Sequence, residues 1–154
     1  MLVMEPITDE EFPAYWKYSV TSWIKDMSNA GLMSRDIPYE EAESEVRKFI
    51  PEGLHTPGHF FFYLVESGTR VGKIWFELRN RRGMSEAYLW DIFIIAEHRG
   101  KGFGKAAMQL FEEFVKERGA AKISLNVFSY NSVARDLYLK TGYHDAAITM
   151  IKEL

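Results

Sequence analysis

Arg99-Gly100-Lys101-Gly102-Phe103-Gly104, followed by Lys105, sets three alternating glycines among three cations. Glycine tolerates positive φ and lets a backbone come close to a ligand. Ahead of a helix, such a loop turns its amides toward an anion, and the helix dipole adds to the attraction. The ligand predicted is a phosphate or pyrophosphate. A plain connecting turn needs neither the glycines nor the cations.

Two common phosphate sites do not fit. A P-loop has four residues between its first Gly and Gly-Lys, then Ser or Thr for magnesium. Here Lys101, Gly102 and Phe103 alone separate Gly100 from Gly104, and Ala106 follows Lys105. A dinucleotide fingerprint aligns formally with Gly102, Gly104 and Ala107 but needs an acidic residue at the end of the next strand. That strand ends in Asn126, Val127, Phe128 and Ser129, and the chain beyond it is too short for a doubly wound sheet.

Asn131, Arg135 and Tyr138 share one helical face at i, i+4 and i+7. Three polar side chains on a face suit a ligand edge better than a core, although a Tyr on a short helix is often simply packed. Asp91, Glu77 and Glu86 are carboxylates able to end a water chain from a proton donor, and the residues do not choose among them. Strand alternation turns Asp91 away from the side of Trp90 unless a bulge intervenes. With no Cys in the chain, thiolate catalysis, thiolate metal ligation and disulfides are excluded.

The elements that must position these groups follow from periodicity and punctuation. Leu2 to Ile7 reads as a strand. Thr8 opens a helix with Glu11 as its capping-box partner, and Gly31 stops it. A second helix starts at Pro38 and ends before Pro51, acidic first and basic last as the dipole prefers. His59–Val65 and Val71–Leu78 form a hairpin around Ser67-Gly68, and Asn80 to Gly83 is a polar turn. Ala87 to Ile95 is nearly continuous in apolar character and is therefore expected to be central. Then come a helix from Gly102 to Gly119, a strand from Lys122 to Val127, a helix from Asn131 to Thr141 and a final strand from Ala146 to Ile151. An antiparallel front joined to α/β crossovers is an α+β architecture.

The 154 residues, 47% hydrophobic and 27% charged, suit one ordinary globular domain. A net charge of −3 offers no cationic excess for nucleic acid. Neither a basic start with an apolar run nor a membrane-length apolar stretch is present, so the expected location is cytoplasmic.

Residues 99–104 resemble the GNAT acetyltransferase signature [Gln/Arg]-x-x-Gly-x-[Gly/Ala]. The resemblance extends over roughly residues 85–154, through the Leu89–Ile95 strand and Asn131-Ser132-Val133-Ala134-Arg135-Asp136-Leu137-Tyr138 before Thr141-Gly142-Tyr143. More faintly, Gly53-Leu54-His55-Thr56-Pro57 resembles uncharacterised bacterial members.

The resemblance implies a single GNAT domain over residues 1–154 with a splayed mixed sheet of about six to seven strands flanked by helices. It implies acetyl-CoA as cosubstrate, its pyrophosphate held by Arg99, Gly100, Lys101, Gly102, Phe103, Gly104 and Lys105. Ile92, Phe93 and Ile94 would contact pantetheine, with Asn131 and Arg135 as further cofactor-binding residues. Tyr138 matches the family's leaving-group acid. Some members carry Glu where this chain has Trp90; the adjacent Asp91 is taken as the catalytic carboxylate candidate, with a structural hydrogen-bonding role as its alternative.

The implied reaction is direct acetyl transfer to a small-molecule or peptide amine in a ternary complex, without a metal, nucleic acid or membrane, and with a homodimer admitted. The alternative is a non-catalytic acyl-CoA-binding domain on the same fold. His55 and His59 lack a third metal ligand at suitable spacing. His98 either contacts CoA or faces solvent. Glu40 to Glu45 reads as a solvated helix face, and Trp16, Trp23, Trp75 and Trp90 read first as core.

Overall fold

The computed structural model describes all residues, 1–154. Its elements in order are strand β1 (Leu2–Pro6), helices α1 (Phe12–Asn29) and α2 (Tyr39–Arg47), strands β2 (His59–Glu66), β3 (Thr69–Arg81) and β4 (Met84–Ile94), helix α3 (Phe103–Glu117), strand β5 (Lys122–Leu125) and helix α4 (Ser132–Lys140). The five strands lie in sequence order in one sheet. The pairs from β1 to β4 are antiparallel, and β4–β5 is parallel.

Local chemistry sets several boundaries. The Thr8 amide donates to Glu11 Oε2 at 3.1 Å and the Glu11 amide donates to Thr8 Oγ1 at 3.3 Å, so the predicted capping box forms one turn before α1. Asn131 caps α4, its side chain accepting from the Ala134 amide at 3.3 Å. The β3–β4 turn is tighter than expected. Asn80 and Arg81 stay in the ladder, and only Arg82 and Gly83, both at positive φ, make the turn.

Two cores sandwich the sheet. Even-numbered β3 residues Ile74 and Phe76 face α3, meeting Ala107, Phe111 and Val115. Odd-numbered Trp75 faces α1 and α2, meeting Trp16 and Ile50. Phe76, Ile74, Ile50 and Phe111 are fully buried. An aromatic residue buried to that degree contributes roughly 1.5–3 kcal/mol of transfer free energy.

One expected element is absent. Ala146 to Ile151 forms no strand, and the sheet has five strands rather than about six or seven. The residues suit a strand, but a strand exists only through a neighbour's hydrogen bonds, and none reaches this segment. No helix is long and apolar enough to cross a membrane.

Candidate active site

The site is built where β4 changes neighbours. Phe76 pairs with Leu89 and Trp75 pairs with Asp91, so Trp90 is an extra residue, a β-bulge. The parallel ladder with β5 ends at the same level, at Leu89↔Leu125. From Trp90 to Ile94 the β4 edge toward β5 is therefore unpaired, and the two strands splay. Ile92 and Ile94 pack toward the α3 core, while Phe93 meets Tyr18 of α1 at 5.1 Å between ring centroids.

The bulge answers the question of Asp91's direction. Trp90 stacks on Trp75 (5.1 Å, 13°), and Asp91 on the same face accepts from Ser19 Oγ of α1 at 3.2 Å. Consecutive residues thus both face α1. Lys73 Nζ is 3.3 Å from Asp91 Oδ2 and also donates to Ser19 Oγ. Burial raises the Asp91 carboxyl against the opposing pull of Lys73, and burial lowers the Lys73 ammonium against the pull of Asp91.

Lys73 and Ser19 carry no role in the sequence reading. The available signal was Lys73 in line with Trp75 and Glu77, at i, i+2 and i+4 on one strand face. Gly72 is a third residue without a role in that reading. A Cβ there would lie 2.1 Å from the Phe93 carbonyl oxygen, so only glycine admits the close approach of β3 to the end of β4.

The glycine loop follows β4 through a 3₁₀ turn at Ala96–His98. Arg99 Nε donates to the Ile94 carbonyl at 2.8 Å and its guanidinium sits 5.2 Å from the Phe93 ring centroid. Gly100 (φ 74°) and Gly102 (φ 84°) are left-handed, and a Cβ on either would meet open space. The amides from Gly100 to Lys105 donate to no protein acceptor. Lys101 and Lys105 are exposed. Six free amides at a helix start beside two free cations and Arg99 fit a pyrophosphate. Gly104 lies inside α3 against Leu137. His98 packs its ring 6.3 Å from Phe103.

Tyr138 is 8% exposed and its hydroxyl has no protein hydrogen-bond partner. Burial, helped by the Asp91 charge, pushes its pKa up to about 12, so the phenol keeps its proton. Its face-mates are engaged elsewhere. Asn131 caps α4, and Arg135 makes a bidentate pair with Asp145 at 2.9 and 2.8 Å.

The remaining carboxylates are tied down. Burial alone would raise Glu77, but the neighbouring His59 ring, the hydrogen bond from Trp90 and the charge of Arg79 bring it below the usual range. Burial of Glu86 is likewise outweighed by Arg79, Ser124 and Lys122. Trp75 Nε1 donates to His59 Nδ1 at 3.1 Å, which leaves the ring proton on Nε2, 3.6 Å from Glu77 Oε1. His55 instead pairs with Asp9 at 2.5 Å. No group of three His, Asp or Glu side chains is placed to share a metal ion.

The sequence model of the acetyltransferase (GNAT) family matches residues 19–143. This chain belongs to the GNAT family. It is 31% identical to the uncharacterized N-acetyltransferase YdgE of Bacillus subtilis (strain 168) over 98% of this chain and 97% of that protein. It is 28% identical to YycN of the same organism, an uncharacterized N-acetyltransferase, over 99% of each. The crystal structure of YycN superposes with a TM-score of 0.93, covering 100% of this chain and 99% of that one. A predicted acetyltransferase from Clostridium acetobutylicum solved with acetyl-CoA shares the fold alone, with a TM-score of 0.70 at 13% identity over 99% and 96% of the two chains. This GNAT protein is thus an acetyl-CoA-dependent N-acetyltransferase on a mixed α+β fold.

Proposed function

We propose that residues 1–154 act as one domain that passes acetyl from acetyl-CoA directly to a primary amine bound in the same ternary complex. The observation that carries this reading is the coincidence of the Trp90 bulge with the last β4–β5 pair, Leu89↔Leu125. It frees the β4 edge from Trp90 to Ile94, the stretch that leads through the Ala96–His98 turn into the glycine loop, so one extended ligand suits both.

In this reading the amides and cations of residues 99–105 hold the CoA pyrophosphate, and the free edge of Ile92, Phe93 and Ile94 takes the pantetheine as a strand takes a neighbour. An amide on that edge polarises the thioester carbonyl and stabilises the oxyanion. Asp91, raised by burial and held by fewer partners than Glu77 or Glu86, accepts a proton from the ammonium and later returns it to solvent. The neutral nitrogen attacks the thioester carbon and the C–S bond breaks. Tyr138 gives its proton to the departing thiolate, and the phenolate is reprotonated from the new amide nitrogen's surplus proton through water. Asn131 and Arg135, occupied in the free protein, would meet CoA only at the rim.

Absence of Cys supports direct transfer, because no thiol can relay the acetyl group. Initial rates of CoA release with an amine panel, varied in both substrates, test the reading. Intersecting double-reciprocal lines are expected. Parallel lines would replace it with a covalent relay. CoA binding without thiol release across the panel would replace it with a non-catalytic binding domain.

A further inference from the structure

His59 is buried and takes no part in the reaction described above. It pairs with Glu77 across the β2–β3 ladder. Its two ring nitrogens face two different neighbours on β3. Nδ1 accepts from Trp75 Nε1 at 3.1 Å, and Nε2 stands 3.6 Å from Glu77 Oε1. The other carboxylate oxygen, Glu77 Oε2, accepts from Trp90 Nε1 at 3.1 Å. Trp90 then stacks back on Trp75, with ring centroids 5.1 Å apart. Four side chains from β2, β3 and β4 thus close a ring on the face toward α1 and α2. A neutral imidazole suits its place there, because it carries one acceptor and one donor.

The ring holds the extra residue of the β4 bulge. Backbone alone does not choose where a bulge sits, because a slip of one residue conserves most of the ladder. Moved one residue later, the bulge would set Trp90 opposite Trp75 and make Asp91 the extra residue. The pairs from Ile74↔Ile92 to Gly72↔Ile94 would be unchanged. Asp91 would then share the side of Ile92, toward the α3 core, as it now shares the side of Trp90. It would leave Ser19 and Lys73 behind. The attachments of Trp90 oppose that slip. Its stack and its hydrogen bond set the indole between Trp75 and Glu77, and His59 ties those two together.

We propose that His59 is a positioning residue for acetyl transfer: by tying Trp75 to Glu77 it pins Trp90, keeps the bulge in place and holds Asp91 toward α1. This rests on the reading of Asp91 as the proton acceptor. His59 acts through Trp90 and Asp91 and not on the substrate.

Two variants separate this role from packing. His59→Leu fills the space with neither nitrogen. His59→Gln keeps an acceptor for Trp75 and a donor for Glu77. In H59L the Trp90 indole proton, whose own acceptor is untouched, should exchange with deuterium about tenfold faster or more by NMR. A W90F chain identifies its signal. With a responsive amine, kcat of H59L should fall by on the order of 10²-fold, the lower end for a positioned proton acceptor. The acetyl-CoA KM should hold, because Ile92, Phe93 and Ile94 keep their register. H59Q should bring both the exchange rate and kcat back toward wild type. If H59L does not fold, W90F carries the kinetic test, since its ring still stacks but donates nothing to Glu77. A folded H59L with wild-type kcat or a protected Trp90 indole proton overturns the proposal. So does an H59Q no better than H59L, or a W90F with wild-type kcat. A wild-type chain that acetylates no amine removes the acetyl-transfer reading alone, and indole exchange still decides whether His59 pins Trp90.

Discussion

Lys73 Nζ lies 3.3 Å from Asp91 Oδ2, with the Tyr15 and Tyr18 ring centroids 4.3 and 4.7 Å from the same nitrogen. Burial moves both groups toward their neutral forms, and each opposes that movement in the other. Lys73→Met removes the cation that lowers Asp91, so the carboxyl must rise further. If Asp91 accepts the ammonium proton, activity appears as it ionises. The acid limb of kcat/KM against pH should then move upward by about one pH unit or more, as loss of a close opposite charge implies. An unmoved limb in a folded K73M protein would remove Asp91 from proton transfer.

Tyr138→Phe deletes a hydroxyl that bonds to no protein atom, so folding and CoA affinity should hardly change. The lost proton donor acts only in the transition state. We expect kcat and kcat/KM to fall together by on the order of 10²-fold. An unchanged kcat would make Tyr138 a packing residue, and a rise in the acetyl-CoA KM alone would make it a binding one.

Gly102 and Gly119 form a matched pair at the two ends of α3. Both have positive φ (84° and 88°), and both have open space where a Cβ would go. Alanine should strain the backbone by about 1–2 kcal/mol at either. Only Gly102→Ala places its methyl beside the free loop amides. Calorimetry should show CoA affinity lost in G102A and kept in G119A. Equal losses would mean that loop strain, rather than ligand approach, controls affinity.

Exhaustive chelation should leave turnover intact, because His55 and His59 each have separate partners and no third ligand joins them. Activity lost on chelation and restored by one divalent ion would reverse this expectation.

The geometry of the glycine loop was legible in the sequence because it is local, resting on positive φ at Gly100 and Gly102, unpaired amides and nearby cations. The same holds for the Thr8–Glu11 box and the Ser67-Gly68 hairpin. Asp91 was legible as a carboxylate but not as a neighbour of Ser19 and Lys73, because those contacts join α1, β3 and β4. The Trp90 bulge is a property of register between two strands, and composition does not encode it. The Ala146–Ile151 strand was read from a valid pattern. The pattern states what the segment can pair as, and leaves open where its partner lies.

Gly72 makes the end of β4, where the proposed pantetheine edge lies, depend on a residue of the neighbouring strand. Its missing Cβ would stand 2.1 Å from the Phe93 carbonyl oxygen, so any other residue there must displace the strand end. A mutational library scored by turnover would mark position 72 as though it belonged to the catalytic cleft. The same library scored by melting would mark it as core. The two screens would be reporting one spacing between neighbouring backbones, and a designer seeking altered acyl-chain tolerance could use it as a lever outside the cleft.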